Sequence, residues 1–154
     1  GGAVMDLLAR DIMTETVIAC VPETKLEDAV RTLAEHDISG MPVINATGRV
    51  VGIVTEADLL LADHLKPPLM KTALFGVYVL RESVMERMAE ARGLRVEDVM
   101  TRQVVTCGPD TPVDDVARIL HDRKINRVPI VDEAGKLIGI LSRADIIEAM
   151  AHPR

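Results

Sequence analysis

The chain has 154 residues, 48% of them hydrophobic, and a formal charge of −6 at pH 7. That is enough apolar material for a sizeable core, and the acidic balance excludes a general nucleic-acid or anionic-membrane surface, because either requires a basic footprint. The most apolar stretch outside the patterned regions, 69–80, is interrupted by Lys71 and is too short to span a bilayer, and no signal-peptide pattern opens the chain.

After an N-terminal segment, 1–10, the first predicted element is a short apolar strand at 17–21, ended by Pro22. Thr24 and Glu27 have capping-box spacing, and Leu26, Ala29, Val30 and Leu33 fall on one helical face, so a helix is predicted to run to about Asp37. Strands at 41–44 and 50–54 flank an Asn45-Ala46-Thr47-Gly48 turn, and a helix starts at Glu56. Residues 64–97 follow as an insertion: Lys66-Pro67-Pro68 breaks the chain, Phe75 and Tyr78 are its aromatics, and Ser83 can cap a helix that stops at Gly93. The insertion is either a packing connector or a segment that caps a cleft or makes a dimer contact, where aromatic anchors are favoured. A strand at 104–107, a helix at 112–123, strands at 128–131 and 137–141 around the 132–135 turn, and a helix from Arg143 complete the order, with 151–154 as a tail.

The second series copies the first. Offsetting the chain by 87 positions aligns 11–63 with 98–150 without a gap, with about a third of positions identical. Met13/Met100, Thr14/Thr101, Pro22/Pro109, Pro42/Pro129, Gly48/Gly135, Gly52/Gly139 and Asp58/Asp145 are among the matched pairs, and several are polar or turn residues that shared hydrophobicity would not reproduce. A unit of that size sits near the lower limit for an independent core, so the two copies are expected to share one, related by a pseudo-twofold axis that generates paired clefts. Cys20 and Cys107 are also an equivalent pair. They read as inherited strand residues rather than a disulfide, which suits a cytoplasmic location.

The segments Ile38-Ser39-Gly40-Met41-Pro42-Val43 and Gly52-Ile53-Val54-Thr55-Glu56-Ala57-Asp58, and their copies Ile125-Asn126-Arg127-Val128-Pro129-Ile130 and Gly139-Ile140-Leu141-Ser142-Arg143-Ala144-Asp145, carry a resemblance. The chain resembles a tandem pair of cystathionine-β-synthase (CBS) domains, a Bateman module. The resemblance implies an α/β (α+β) fold of two β-α-β-β-α CBS repeats packed with pseudo-twofold symmetry. It also implies a regulatory role without catalysis: AMP, ADP or ATP bound in clefts between the repeats, a homodimer of four repeats, and a regulated protein partner.

The pairs Thr55 with Asp58 and Ser142 with Asp145 have two readings. As [ST]-x-x-D at a helix start they are capping boxes, the carboxylate complementing the helix dipole. By resemblance they hold the ribose hydroxyls of an adenosine nucleotide, and both roles can coexist. Resemblance further places Ser39-Gly40 with Met41 and Pro42, and Asn126-Arg127 with Val128 and Pro129, around adenine and phosphate, against apolar walls from Val17, Ile18, Ile38, Val104, Val105 and Ile125. Without it, the dipeptides before each strand are simple turn chemistry. Arg127 and Arg143 stand where the first copy has Gly40 and Glu56. The second site is therefore expected to be the better one for phosphate unless Arg143 points to solvent, and Glu56 beside Asp58 repels a polyphosphate. An oligomerisation or scaffold module with vestigial clefts is the alternative reading.

His36, His64, His121 and His152 are neither at equivalent positions nor at metal-ligand spacing, so no metal site is expected. No nucleophile and base can be paired, and no catalytic cofactor is implied.

Overall fold

The structure is a computed structural model and describes residues 6–60 and 93–152. The elements are α1 (Ala9–Ile12), α2 (Leu26–Glu35), β1 (Gly40–Ile44), β2 (Val50–Thr55), α3 (Glu56–Leu60), a 3-10 turn (Val96–Asp98), α4 (Val113–Arg123), β3 (Arg127–Val131), β4 (Leu137–Ser142) and α5 (Arg143–Ala151). Helices and strands are mixed, and the strands form two small sheets, β1 with β2 and β3 with β4. In the second, antiparallel sheet Arg127 pairs with Ser142 and Pro129 with Ile140, and a bulge lies between Ile130 and Val131.

The strands expected at 17–21 and 104–107 shrink to single parallel bridges, Cys20 to Val43 and Cys107 to Ile130. The cause is proline. Cys20 donates to the Pro42 carbonyl at 3.1 Å and accepts from Ile44 N–H at 2.8 Å. Extending that ladder by one step in either direction needs a donor N–H from Pro42 or from Pro22, and proline has none. Pro129 and Pro109 stop the second copy in the same way.

The described residues fall into two compact units, one drawn from 1–18, 46–50 and 104–154, the other from 19–45 and 51–103. Neither corresponds to one repeat. In the first unit α4 lays Val113, Val116 and Leu120 against Val128, Ile130 and Leu141 of the sheet, with Ala9, Cys107 and Ile146 closing the core. Each fully buried side chain of this kind contributes about 1.5–3 kcal/mol. The second unit buries Leu26, Ala29 and Leu33 of α2, Met41 and Val43 of β1, Val54 of β2, and Val96.

The mixing comes from the segment that leads into each repeat. Ala9 and Arg10 N–H donate to the carbonyls of Thr111 and Pro109, Leu7 C=O accepts from Val113, and Thr14 exchanges two 2.9 Å bonds with Ile140. At an offset of 87, Val96 and Glu97 donate to Thr24 and Pro22, Leu94 C=O accepts from Leu26, and Thr101 exchanges two 2.9 Å bonds with Ile53. The leader of repeat one thus docks on repeat two within one unit, and the leader of repeat two docks on repeat one within the other. Asp11 and Asp98 shape the leaders, each carboxylate accepting from the backbone N–H three residues earlier, at 2.8 and 2.7 Å.

This docking displaces the expected Thr24–Glu27 capping box. Thr24 C=O is taken by Val96, its Oγ1 accepts from Val21 N–H at 3.2 Å, and α2 begins later, with Lys25 as an N-cap that makes no side-chain bond. The helix also ends before Asp37, which adopts φ 51°, as Lys124 adopts φ 55° after α4. Phe75, Tyr78 and the helix expected from Ser83 lie outside the described residues.

Candidate functional site

In the first unit β4 delivers Ser142 as the N-cap of α5. Ser142 Oγ accepts from Asp145 N–H at 3.2 Å, and Asp145 Oδ2 accepts from Ser142 N–H at 2.9 Å. This reciprocal box satisfies two groups at the helix start and fixes the carboxylate there. Among the described residues nothing donates to Oδ1 of Asp145. Arg143, expected to meet phosphate, instead donates from Nε to Ile125 C=O at 3.0 Å and from Nη2 to Leu120 C=O at 3.1 Å, closing the carboxyl end of α4. Its N–H donates to Asn126 C=O at 2.9 Å. The sheet register sets Arg127 beside Ser142, and Val17, Ile18, Val104 and Ile125, all half-buried, belong to this unit.

In the second unit the same turn is built more tightly. Asp58 Oδ2 accepts from Thr55 N–H at 3.0 Å and from Thr55 Oγ1 at 3.2 Å, while Asp58 N–H donates to Thr55 Oγ1 at 3.2 Å. Its other oxygen is also taken: Thr101 Oγ1 donates to Asp58 Oδ1 at 3.1 Å. Glu56 N–H donates to Ser39 C=O at 2.9 Å, tying the helix start to the segment of Ile38, Ser39 and Gly40. Thr101 carries no motif of its own. Its place beside Asp58 follows from leader docking, which no local pattern reports.

Several residues expected around adenine and phosphate are sealed. Met41 and Val128 have no exposed surface, and Gly40, Pro42 and Pro129 are buried. Asn126 is exposed.

Asp145 also lines a cleft of about 330 Å³ with Leu7, Asp11, Ile12 and Met13 of the leader and Glu148, Ala149 and His152 of α5. These residues escaped sequence reasoning because α1 and α5 belong to different repeats. Three carboxylates make the cleft unfriendly to polyphosphate. Among the described residues no cluster of three or more His, Cys, Asp or Glu is arranged to hold a metal ion. None of the described helices is long and apolar enough to cross a membrane. Both cysteines are free. Burial pushes the Cys20 thiol up to about 11, and burial followed by the Asp115 charge pushes Cys107 up, so both are protonated thiols at neutral pH.

The CBS domain family model matches the chain twice, at residues 9–64 and 96–152. The chain belongs to the CBS domain family and contains a pair of these domains. Among proteins it is similar to are the uncharacterized protein MJ1426 of Methanocaldococcus jannaschii, 36% identical over 94% of this chain and 91% of that protein, and the chloroplastic CBS domain-containing protein CBSX2 of Arabidopsis thaliana, 33% identical over 83% of this chain and 56% of CBSX2. Among solved structures, CBSX2 in complex with AMP aligns with a TM-score of 0.74 at 30% identity, covering 94% of this chain and 96% of that one. The CBS domain pair of protein MJ0100, in complex with 5′-methylthioadenosine and S-adenosyl-L-methionine, aligns with a TM-score of 0.69 at 26% identity, covering 94% and 96%.

Proposed function

We propose that this chain is a regulatory, non-catalytic module that binds an adenosine ligand at its [ST]-x-x-D helix starts and passes the binding event on as a change of conformation or assembly. The observation that carries this reading is Asp145. Its carboxylate is held at the start of a nine-residue helix by Ser142, yet Oδ1 has no donor among the described residues. A fixed carboxylate with a vacant oxygen suits a vicinal diol, and the helix start favours a nearby phosphate. The adenosine ligands of the CBSX2 and MJ0100 structures support the same class. Within it AMP, or an adenosyl ligand without a polyphosphate, is favoured over ADP and ATP, because Arg143 is committed to carbonyl oxygens and Asp11 and Glu148 flank Asp145 in the cleft.

Isothermal titration calorimetry with AMP, ADP, ATP and S-adenosylmethionine tests this. Micromolar binding of AMP that Asp145→Ala weakens at least tenfold, the loss of about 1.4 kcal/mol or more expected for a charge-assisted hydrogen bond, is the expected result. No heat with any of the four overturns it. A homodimer of four CBS repeats, a cytoplasmic location and a protein partner whose activity it regulates complete the proposal, and the two free thiols suit that compartment.

The scaffold reading is favoured by one observation, the exposure of Ile147 and Met150 on α5, at 64% and 62%. An assembly role through those two side chains is compatible with ligand binding at Asp145, since neither of them lines its cleft.

A further inference from the structure

We propose that Thr101 is a specificity-determining residue: its hydroxyl occupies Asp58 and so makes the two equivalent sites unequal, leaving Asp145 as the ligand carboxylate. The inference rests on the adenosine reading above and deepens it.

A carboxylate offers roughly four lone-pair positions. Among the described residues Asp58 spends three, on Thr55 N–H, Thr55 Oγ1 and Thr101 Oγ1, whereas Asp145 spends one, on Ser142 N–H. A ribose presents two neighbouring hydroxyl donors. Asp145 can accept both. Asp58 can accept both only after Thr101 lets go. The difference does not come from the motif, which is [ST]-x-x-D in both copies, nor from the backbone, since Thr101 pairs with Ile53 through the same two 2.9 Å bonds that Thr14 makes with Ile140. It lies in one side-chain contact. Thr14 is the counterpart of Thr101, yet no bond from it to Asp145 is formed. Because Thr101 is held by the docked leader, the occupancy of Asp58 is set by a segment outside its own repeat.

The test is calorimetry with AMP and with adenosine on the full chain, comparing wild type, Asp145→Ala, Thr101→Val, Thr101→Val/Asp145→Ala and the triple variant that adds Asp58→Ala. Thr101→Val keeps the β-branched shape and the backbone pairing and removes only the donor; Thr101→Ser, which keeps it, is the control. In the Asp145→Ala background, Thr101→Val is expected to restore or tighten binding about tenfold, the value of one hydrogen bond to a charged group, and Asp58→Ala to abolish the gain. Thr101→Ser is expected to change nothing. Wild-type binding lost in Asp145→Ala, with no gain from Thr101→Val in a variant of unchanged circular dichroism, overturns the role of Thr101 and leaves the adenosine reading standing. A gain in Thr101→Ser equal to that in Thr101→Val overturns it as well. No binding by wild type or by Thr101→Val overturns both, whereas Asp58-dependent binding by Thr101→Val alone upholds the role of Thr101 and removes Asp145 from the reading.

Discussion

Asp37 and Lys124 occupy the same left-handed turn, at φ 51° and 55°, where each repeat leaves its first helix for the strand that carries the dipeptide before proline. The two residues are not equally suited to it. Asp tolerates this region through local hydrogen bonding, while Lys has only the Cβ clash to contend with. Lys124→Gly is therefore expected to stabilise the protein by about 0.5–1 kcal/mol, read as a raised melting temperature, since glycine at a helix C-terminus relieves the strain and Lys124 contributes only its backbone N–H there. The cysteines make a second prediction. The folded Cys20 thiol, raised by burial from 9.0 to about 11, holds its proton more tightly than the unfolded one. Its contribution is therefore complete below pH 9 and is lost as pH rises from there toward 11, where further alkalinity takes no more. Cys20→Ala is expected to show a shallower fall in stability between pH 9 and 11 by denaturant titration, and an unchanged slope would show that the thiol is not the group responsible.

At the scale of elements, the helices and the four hairpin strands were legible because their signals are local: 3.6-residue spacing in 26–33 and 113–120, alternation and a glycine turn in each hairpin. The first strand of each repeat is misread because its apolar pattern is real but its partner strand carries a proline at its third position. Pro42 and Pro129 were visible; that they would face 18 and 105 in a parallel ladder was not. Leader docking was less legible still. Between 7–10 and 94–97 only Leu7 and Leu94 are identical, and the contacts each leader makes belong to the other repeat. Of the site, the two [ST]-x-x-D boxes could be read from the sequence, whereas the turning of Arg143 onto Leu120 and Ile125, and of Thr101 onto Asp58, depends on neighbours brought by folding. Gly52 and Gly139 mark where the leaders lie. A Cβ on Gly52 would stand 2.7 Å from Met100 Sδ and 3.0 Å from the Thr101 carbonyl oxygen, and that oxygen is pinned by its bond from Ile53. Gly52→Ala is expected to cost about 1–3 kcal/mol by urea denaturation, as overpacking does, and to speed exchange of the Thr101 amide; a change below about 0.5 kcal/mol would mean the leader is loosely held.

For the whole molecule, exposed Ile147 and Met150 stand one helical turn apart on α5, and two such residues side by side suit burial against a second copy. Sedimentation velocity is expected to give a dimer, and Ile147→Asp/Met150→Asp a monomer of unchanged circular dichroism; a wild-type monomer at tens of micromolar would remove the assembly part of the proposed function. The exchange of leaders also sets an order of events during synthesis. Every described residue of the unit drawn from 19–45 and 51–103 is synthesised before Val104. The other unit holds both the first and the last of the described residues, so Leu7 to Thr14 wait until Ile140 and α5 have been made. The first leader is thus made before every other described element yet is the last to find its place, and a ribosome that stalls before β4 leaves that leader with no strand to join.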